Sequence, residues 1–251
     1  MKPSDIINQC STYFIKYFGT EHKHRIEDRL HKSELYFVNE SNHDDCVKQH
    51  ILNSYKCYGQ VKCGEYSESE RELINNVEKV VNPDAPNVGH CVLMTCLEVA
   101  TGKLFDVSRG IFIFDYYSKS YKTTQYGAYS DTCIFHELGH AITQFAKDQE
   151  TYNGFEGYDK SDIFDIFNEY FIETIAVDLS KMMHRDGKTF NENIPLRDKV
   201  YDISKYKYFK KPMSMLRKSW DKDMKYLKHA IITCEHDNSI QDIVHKLLKS
   251  L

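Results

Sequence analysis

The chain has 251 residues and a formal net charge of −4, from 33 Lys and Arg against 37 Asp and Glu. Hydrophobic residues make up 41% and aromatics 13%, which excludes a wholly disordered chain and suits one large domain or a domain with a small appendage. The 11 Gly and 5 Pro exclude a collagen-like or low-complexity chain, and so small a net charge removes any whole-chain case for nucleic acid or a membrane surface.

Residues 1–66 read as an irregular or helical N-terminal extension. Met1 to Asn8 show no secretory signal. Ile6, Ile7, Tyr13, Phe14 and Tyr17 have helical spacing, the charged stretch His22 to Lys32 reads as solvated, and Glu34 to Val38 reads as a short strand. The eight Cys form no CxxC pair and read as reduced thiols of a cytoplasmic protein. Cys57 and Cys63 could share a metal only with a second pair, which is missing.

Residues 67–251 read as the main domain. Ser67 and Glu70 fit a capping box ahead of a helix that Asn82 to Asn87 would stop. Cys91 to Leu97 and Ile111 to Tyr117 read as strands. The longest apolar runs, Cys91 to Met94 and Ile111 to Phe114, are far short of a membrane span. Ser130 or Asp131 caps a helix expected to reach about Lys147; a turn follows at Tyr152 to Gly154, then a helix from Ser161 to about Met183. From about residue 197 the chain reads as a helical subdomain, with Met213, Leu216, Trp220, Met224, Leu227 and Ile231 on one face. The fold class is α+β.

The chemistry centres on His136-Glu137-Leu138-Gly139-His140. Residues i and i+4 share a helix face, so both imidazoles can reach one zinc ion, while Glu137 stands beside them to contact a water. The longer motif with a third His is absent, because Thr143 and Ala146 occupy the places of its Gly and His. The next helix instead carries Glu169 and Glu173, again i and i+4, among Phe164, Phe167, Phe171, Ile172 and Ile175. Carboxylates on so apolar a helix need a partner. One of them can bind zinc while the other accepts a hydrogen bond from a ligand imidazole.

This pair of motifs resembles the gluzincins, the zinc peptidases typified by thermolysin. Asn168-Glu169-Tyr170-Phe171-Ile172-Glu173 is similar to the glutamate helix of anthrax lethal-factor-like peptidases and of host-directed bacterial effector metallopeptidases. The resemblance covers residues 111–178. It implies a zincin-like fold, with a small sheet whose edge strand, 111–117, would bind an extended substrate and pack on an active-site helix and a glutamate helix. It also implies Zn2+ held by His136, His140 and Glu169, Glu137 as general base and Glu173 behind a ligand His. A register with Glu173 as the ligand competes; Glu169 is favoured because only it has a carboxylate four residues later. The implied activity is a zinc endopeptidase, an effector acting in the cytoplasm or delivered into a host cytosol without a signal peptide. An oxyanion donor is also needed. Tyr158 is the first candidate, with Tyr126, Tyr129, Tyr152, His184, His229 and His236 behind it.

Charge blocks bear on the substrate. Gln149 to Asp178 holds eight acids and one Lys, and Leu196 to Ala230 holds eleven Lys or Arg and four Asp. The acids either rim the cleft for a basic peptide or complement the chain's own basic half. Lys205 to Lys211 mixes basic and aromatic residues, which is thin support for nucleic acid. The alternatives to a peptidase are a non-catalytic zincin-fold regulatory or binding protein, a metal-dependent hydrolase of another amide, and a structural protein with a chance motif.

Overall fold

The computed structural model describes residues 1–39, 41–60, 89–98, 103–114, 130–147, 149–155, 163–192, 196, 221–233 and 242–243. The first helix, α1 (Pro3–Phe18), follows the expected spacing and buries Ile6, Ile7, Cys10, Tyr13, Phe14 and Phe18 along one stripe. Phe14 and Tyr13 meet Phe135 edge-on, with centroids 5.7 and 6.1 Å apart, so the N-terminal helix packs on the centre of the molecule.

The charged stretch that follows is not a solvated face. It forms a short 3-10 turn and α2 (Lys23–His31), which bury His22, Ile26, Arg29 and Leu30. Arg29 explains why. Its Nη1 donates to the carbonyls of Ile142 and Ile232, and its guanidinium lies 4.4 Å from the centre of the Phe145 ring. Each carbonyl lies in the last turn of a helix, where the dipole is negative. A buried cation is tolerated because two helix ends and an aromatic face partner it.

Strand β1 (Ser33–Val38) leads through α3 (His43–Gln60) to β2 (Gly89–Glu98) and β3 (Lys103–Phe114). The sheet order is β1-β3-β2, with β1 parallel and β2 antiparallel to β3. Residues 111–114 therefore lie in a strand flanked on both sides, not at an edge; among the described residues the outer strand on that side is β2. The physical reason is burial: Ile111, Phe112, Ile113 and Phe114 are all covered, and a strand buried on both faces needs a neighbour on both sides. Ile111 and Ile113 face the main core, while Phe112 stacks on Tyr36 at 5.0 Å and meets His50 of α3 on the other face.

Helix α4 (Asp131–Thr143) ends four residues short of the expected Lys147. Residues Gln144–Lys147 form β4 instead and pair antiparallel with β5 (Glu150–Asn153). Side chains of β3 draw the backbone out of the helix. Arg109 Nη2 donates to the Gln144 carbonyl at 2.7 Å, and Asp106 Oδ1 accepts from the Ala146 amide at 2.5 Å. Phe145 then stacks on Tyr152 at 5.4 Å. The expected turn closes at Gly154, whose φ of 56° suits glycine.

Helix α5 (Ile163–Arg185) buries Phe164, Phe167, Phe171, Ile172 and Ile175, as its pattern predicts. Helix α6 (Asp221–Thr233) buries Leu227, Ala230, Ile231 and Ile232. The capped helix after Ser67, the turn at 82–87, the face formed by Met213, Leu216 and Trp220, and the run 205–211 lie outside the described residues. Among the described residues no helix is long and apolar enough to cross a membrane. The architecture is mixed, mostly helical with two small sheets.

Candidate metal centre

Helices α4 and α5 run antiparallel and meet along their motif faces. Ser130 caps α4 by accepting from the Cys133 amide at 3.1 Å. Asp131, in the first turn, accepts from His184 Nε2 at 2.7 Å, Thr189 Oγ1 at 2.7 Å and the Phe190 amide at 2.9 Å. That carboxylate sits at the positive end of α4 and ties it to the end of α5. Gly139 lets the helices close: a Cβ there would stand 3.0 Å from Ile172 Cγ2.

The antiparallel register sets His136 opposite Glu173 and His140 opposite Glu169. His136 Nε2 and His140 Nε2 are 3.1 Å apart. Glu169 faces both: its Oε1 lies 3.2 Å from His140 Nε2 and its Oε2 lies 3.5 Å from His136 Nε2. The back of the His136 ring is held by Glu173, with Nδ1 and Oε2 2.9 Å apart. An Nδ1–H donated to that carboxylate leaves Nε2 as an electron-pair donor. Glu173 thus lies behind an imidazole, while Glu169 faces the gap between the two rings.

Two imidazoles and one carboxylate, with ligand atoms all within 4.8 Å of one another, form a group that could hold a metal ion. Bonds of about 2.0–2.1 Å in a tetrahedral zinc site place donors about 3.3 Å apart, close to the separations found here. Two nitrogens and an oxygen suit zinc among the common divalent ions, and three protein donors leave a fourth position open. His140 Nδ1 is buried and, among the described residues, has no partner, unlike its counterpart on His136.

The remaining predicted residues scatter. Glu137 is buried beside the cluster, with its side chain against Gly89 of β2. Burial pushes its carboxyl pKa up, against the pull of His136 and His140. Tyr158, Tyr126, Tyr129 and His236 lie outside the described residues. Tyr152 donates to Glu150, and His184 is engaged by Asp131 at the far end of α5. His229 rings up with His22 between α1 and α6, at 5.1 Å. Gly89 and Asn168 escaped the sequence reading. Asn168 Oδ1 accepts from the Phe155 amide at 3.0 Å and so fixes the loop before the glutamate helix. A polar residue inside an apolar run beside Glu169 was the available signal.

Burial is the largest single influence and lowers the pKa of both imidazoles, but the neighbouring carboxylates together, Glu169 foremost, with Glu137 and, at His136, Glu173, outweigh it and hold both above the ordinary 6.5. Glu169 is in turn held below the carboxylate range by the two imidazoles, despite its burial. The linkage has a definite sign. Raised His values contribute stability that is complete below about pH 6.5 and is lost as pH rises through the raised values. The lowered Glu169 value contributes stability above the ordinary carboxylate pKa, lost as pH falls through the depressed one. Chelator-treated protein is therefore expected to melt at lower temperature as pH rises above 6.5. With zinc present the trend should reverse, since protons then compete less for the imidazoles. Thermal unfolding across pH, with chelator and with zinc, checks both slopes.

Comparisons with protein-family models, curated proteins and solved structures found no match.

Proposed function

We propose that this chain is a zinc-dependent endopeptidase of the gluzincin type, hydrolysing a peptide bond in a protein substrate inside a cell. The observation that carries this reading is the convergence of His136 Nε2, His140 Nε2 and the Glu169 carboxylate, with Glu173 behind His136 and Glu137 alongside. His136, His140 and Glu169 would hold the zinc ion, which when bound would supply Lewis acidity at the scissile carbonyl and to the attacking water. Glu137 takes a proton from the attacking water as the new C–O bond forms, and hands it to the amine as the C–N bond breaks. The raised pKa of Glu137 suits a group that accepts a proton and then releases it. Glu173 orients His136 and fixes its tautomer. Among the described residues β2 is an outer strand of the sheet and runs beside Glu137, where its backbone could partner an extended peptide.

The acidic block supports a basic substrate only in part. Asp178 accepts from Tyr17 Oη at 3.3 Å, and Lys228 of the basic block stands 3.6 Å above the centre of the Tyr17 ring. That acid is engaged within the fold. Glu150 and Asp165 are exposed, and Glu150 accepts from Tyr152 Oη at 3.1 Å. Delivery into a host cytosol fits the resemblance to effector peptidases.

Metal analysis should give about one zinc per chain, the stoichiometry of a single three-ligand site. Proteome-wide profiling of new N-termini should then show cleavages with the wild type that chelation abolishes. Zinc binding without any cleavage would favour a non-catalytic zincin, and no bound divalent ion would leave a chance motif.

A further inference from the structure

Gly89 opens edge strand β2 and is buried against Glu137. A Cβ at this position would stand 2.6 Å from Glu137 Cγ, 2.7 Å from Oε1 and 2.8 Å from Cδ. All three distances lie far inside the ordinary contact range of about 3.5–4.0 Å. We propose that Gly89 is a positioning residue for the general base: its missing side chain lets the Glu137 carboxylate occupy the gap between β2 and α4.

Neither backbone can yield instead. Gly89 pairs with Ile113 of β3, which is fully buried. Helix α4 is buried at every position except His136, is capped by Ser130, and has its last turn held by Arg29. The Glu137 side chain is the movable member, so a side chain at 89 displaces the carboxylate. The next inward position of the strand is already filled. Cys91, two residues on and on the same face, directs its thiol to Gln144 Oε1 at 3.4 Å. The carboxylate must then leave the place from which it reaches the water.

The catalytic half of this inference rests on the peptidase reading; the packing half does not, and the experiment separates them. Unfolding temperatures are compared for the wild type, Gly89→Ala, Glu137→Ala and the double variant. Gly89→Ala should lower the midpoint in the wild-type background. In the Glu137→Ala background it should leave the midpoint unchanged or raise it, because Ala loses less chain entropy than Gly in a strand. Equal shifts in both backgrounds overturn the proposal. Should Gly89→Ala fail to fold, recovery of folding in the double variant supports the collision, and failure of both overturns it.

For hydrolysis, Gly89→Ala should retain zinc and lower kcat about 10- to 100-fold, the scale of a small misplacement, with little change in KM. Glu137→Asp, one methylene shorter, should cost less in the Gly89→Ala background than in the wild type. Unchanged kcat in a hydrolysing protein overturns the positioning role. A wild type that cleaves nothing overturns the peptidase reading, while the unfolding cycle still decides whether Gly89 places Glu137.

Discussion

Replacing Glu137 with Gln is expected to abolish hydrolysis while the protein stays folded and keeps its zinc. The change is isosteric, so the packing against Gly89 survives. The three converging donors are untouched, because Glu137 is not among them. Stability should hold or rise slightly, since burial disfavours the charged carboxylate that the substitution removes. Removing a positioned general base costs about 10²–10⁴-fold in rate. The measurement is kcat/KM on a peptide found by N-terminal profiling, alongside zinc content and the unfolding midpoint. Retained hydrolysis in this variant would remove Glu137 from the mechanism. A collapse of zinc content would mean that the residue helps to hold the metal.

The second large effect separates the two glutamates. Glu169 faces the gap between the imidazoles, and Glu173 contacts the back of the His136 ring. Glu173→Ala should weaken zinc binding about 10- to 100-fold, the usual cost of losing an outer partner of a ligand His. Glu169→Ala should weaken it further, because a donor to the metal itself is lost. Competition against a chelator of known affinity measures both. The reverse order would assign the metal to Glu173. Glu173→Ala carries a second signature: it leaves His136 Nδ1 without its carboxylate, so proton competition at that ring should shift to lower pH.

Glu137 and Glu173 are buried, and each has an identifiable reason to be there. Glu173 is partnered by an imidazole, whereas Glu137 sits in a gap that a glycine leaves open. Glu137, whose burial outweighs the pull of His136 and His140, is the one to which we assign the proton transfer, and a desolvated carboxylate is the better base. Arg29 shows the contrasting case of a buried charge with a structural task. Its contacts with the Ile142 and Ile232 carbonyls and the Phe145 ring tie the ends of α4 and α6 together.

What the sequence determined by itself was everything set by local geometry. The i, i+4 spacing places His136 with His140, and Glu169 with Glu173, on shared helix faces, because a helix repeats every 3.6 residues. Ser130 was legible as a cap for the same local reason, and the apolar stripes of α1 and α5 announced their buried faces. Other features depended on neighbours distant in the chain. Residues 111–114 looked like an edge strand and proved central once β1 and β2 flanked them. Helix α4 stopped at Thr143 because Arg109 and Asp106 capture the backbone beyond it. The stretch around Arg29 looked solvated, but two helix ends and Phe145 give its charge a buried home. Periodicity could not say which glutamate meets Nε2 and which meets Nδ1, nor that Gly89 makes room for Glu137. Those outcomes belong to the packing of α4 against α5 and β2, where a slip of one helical turn would exchange the partners.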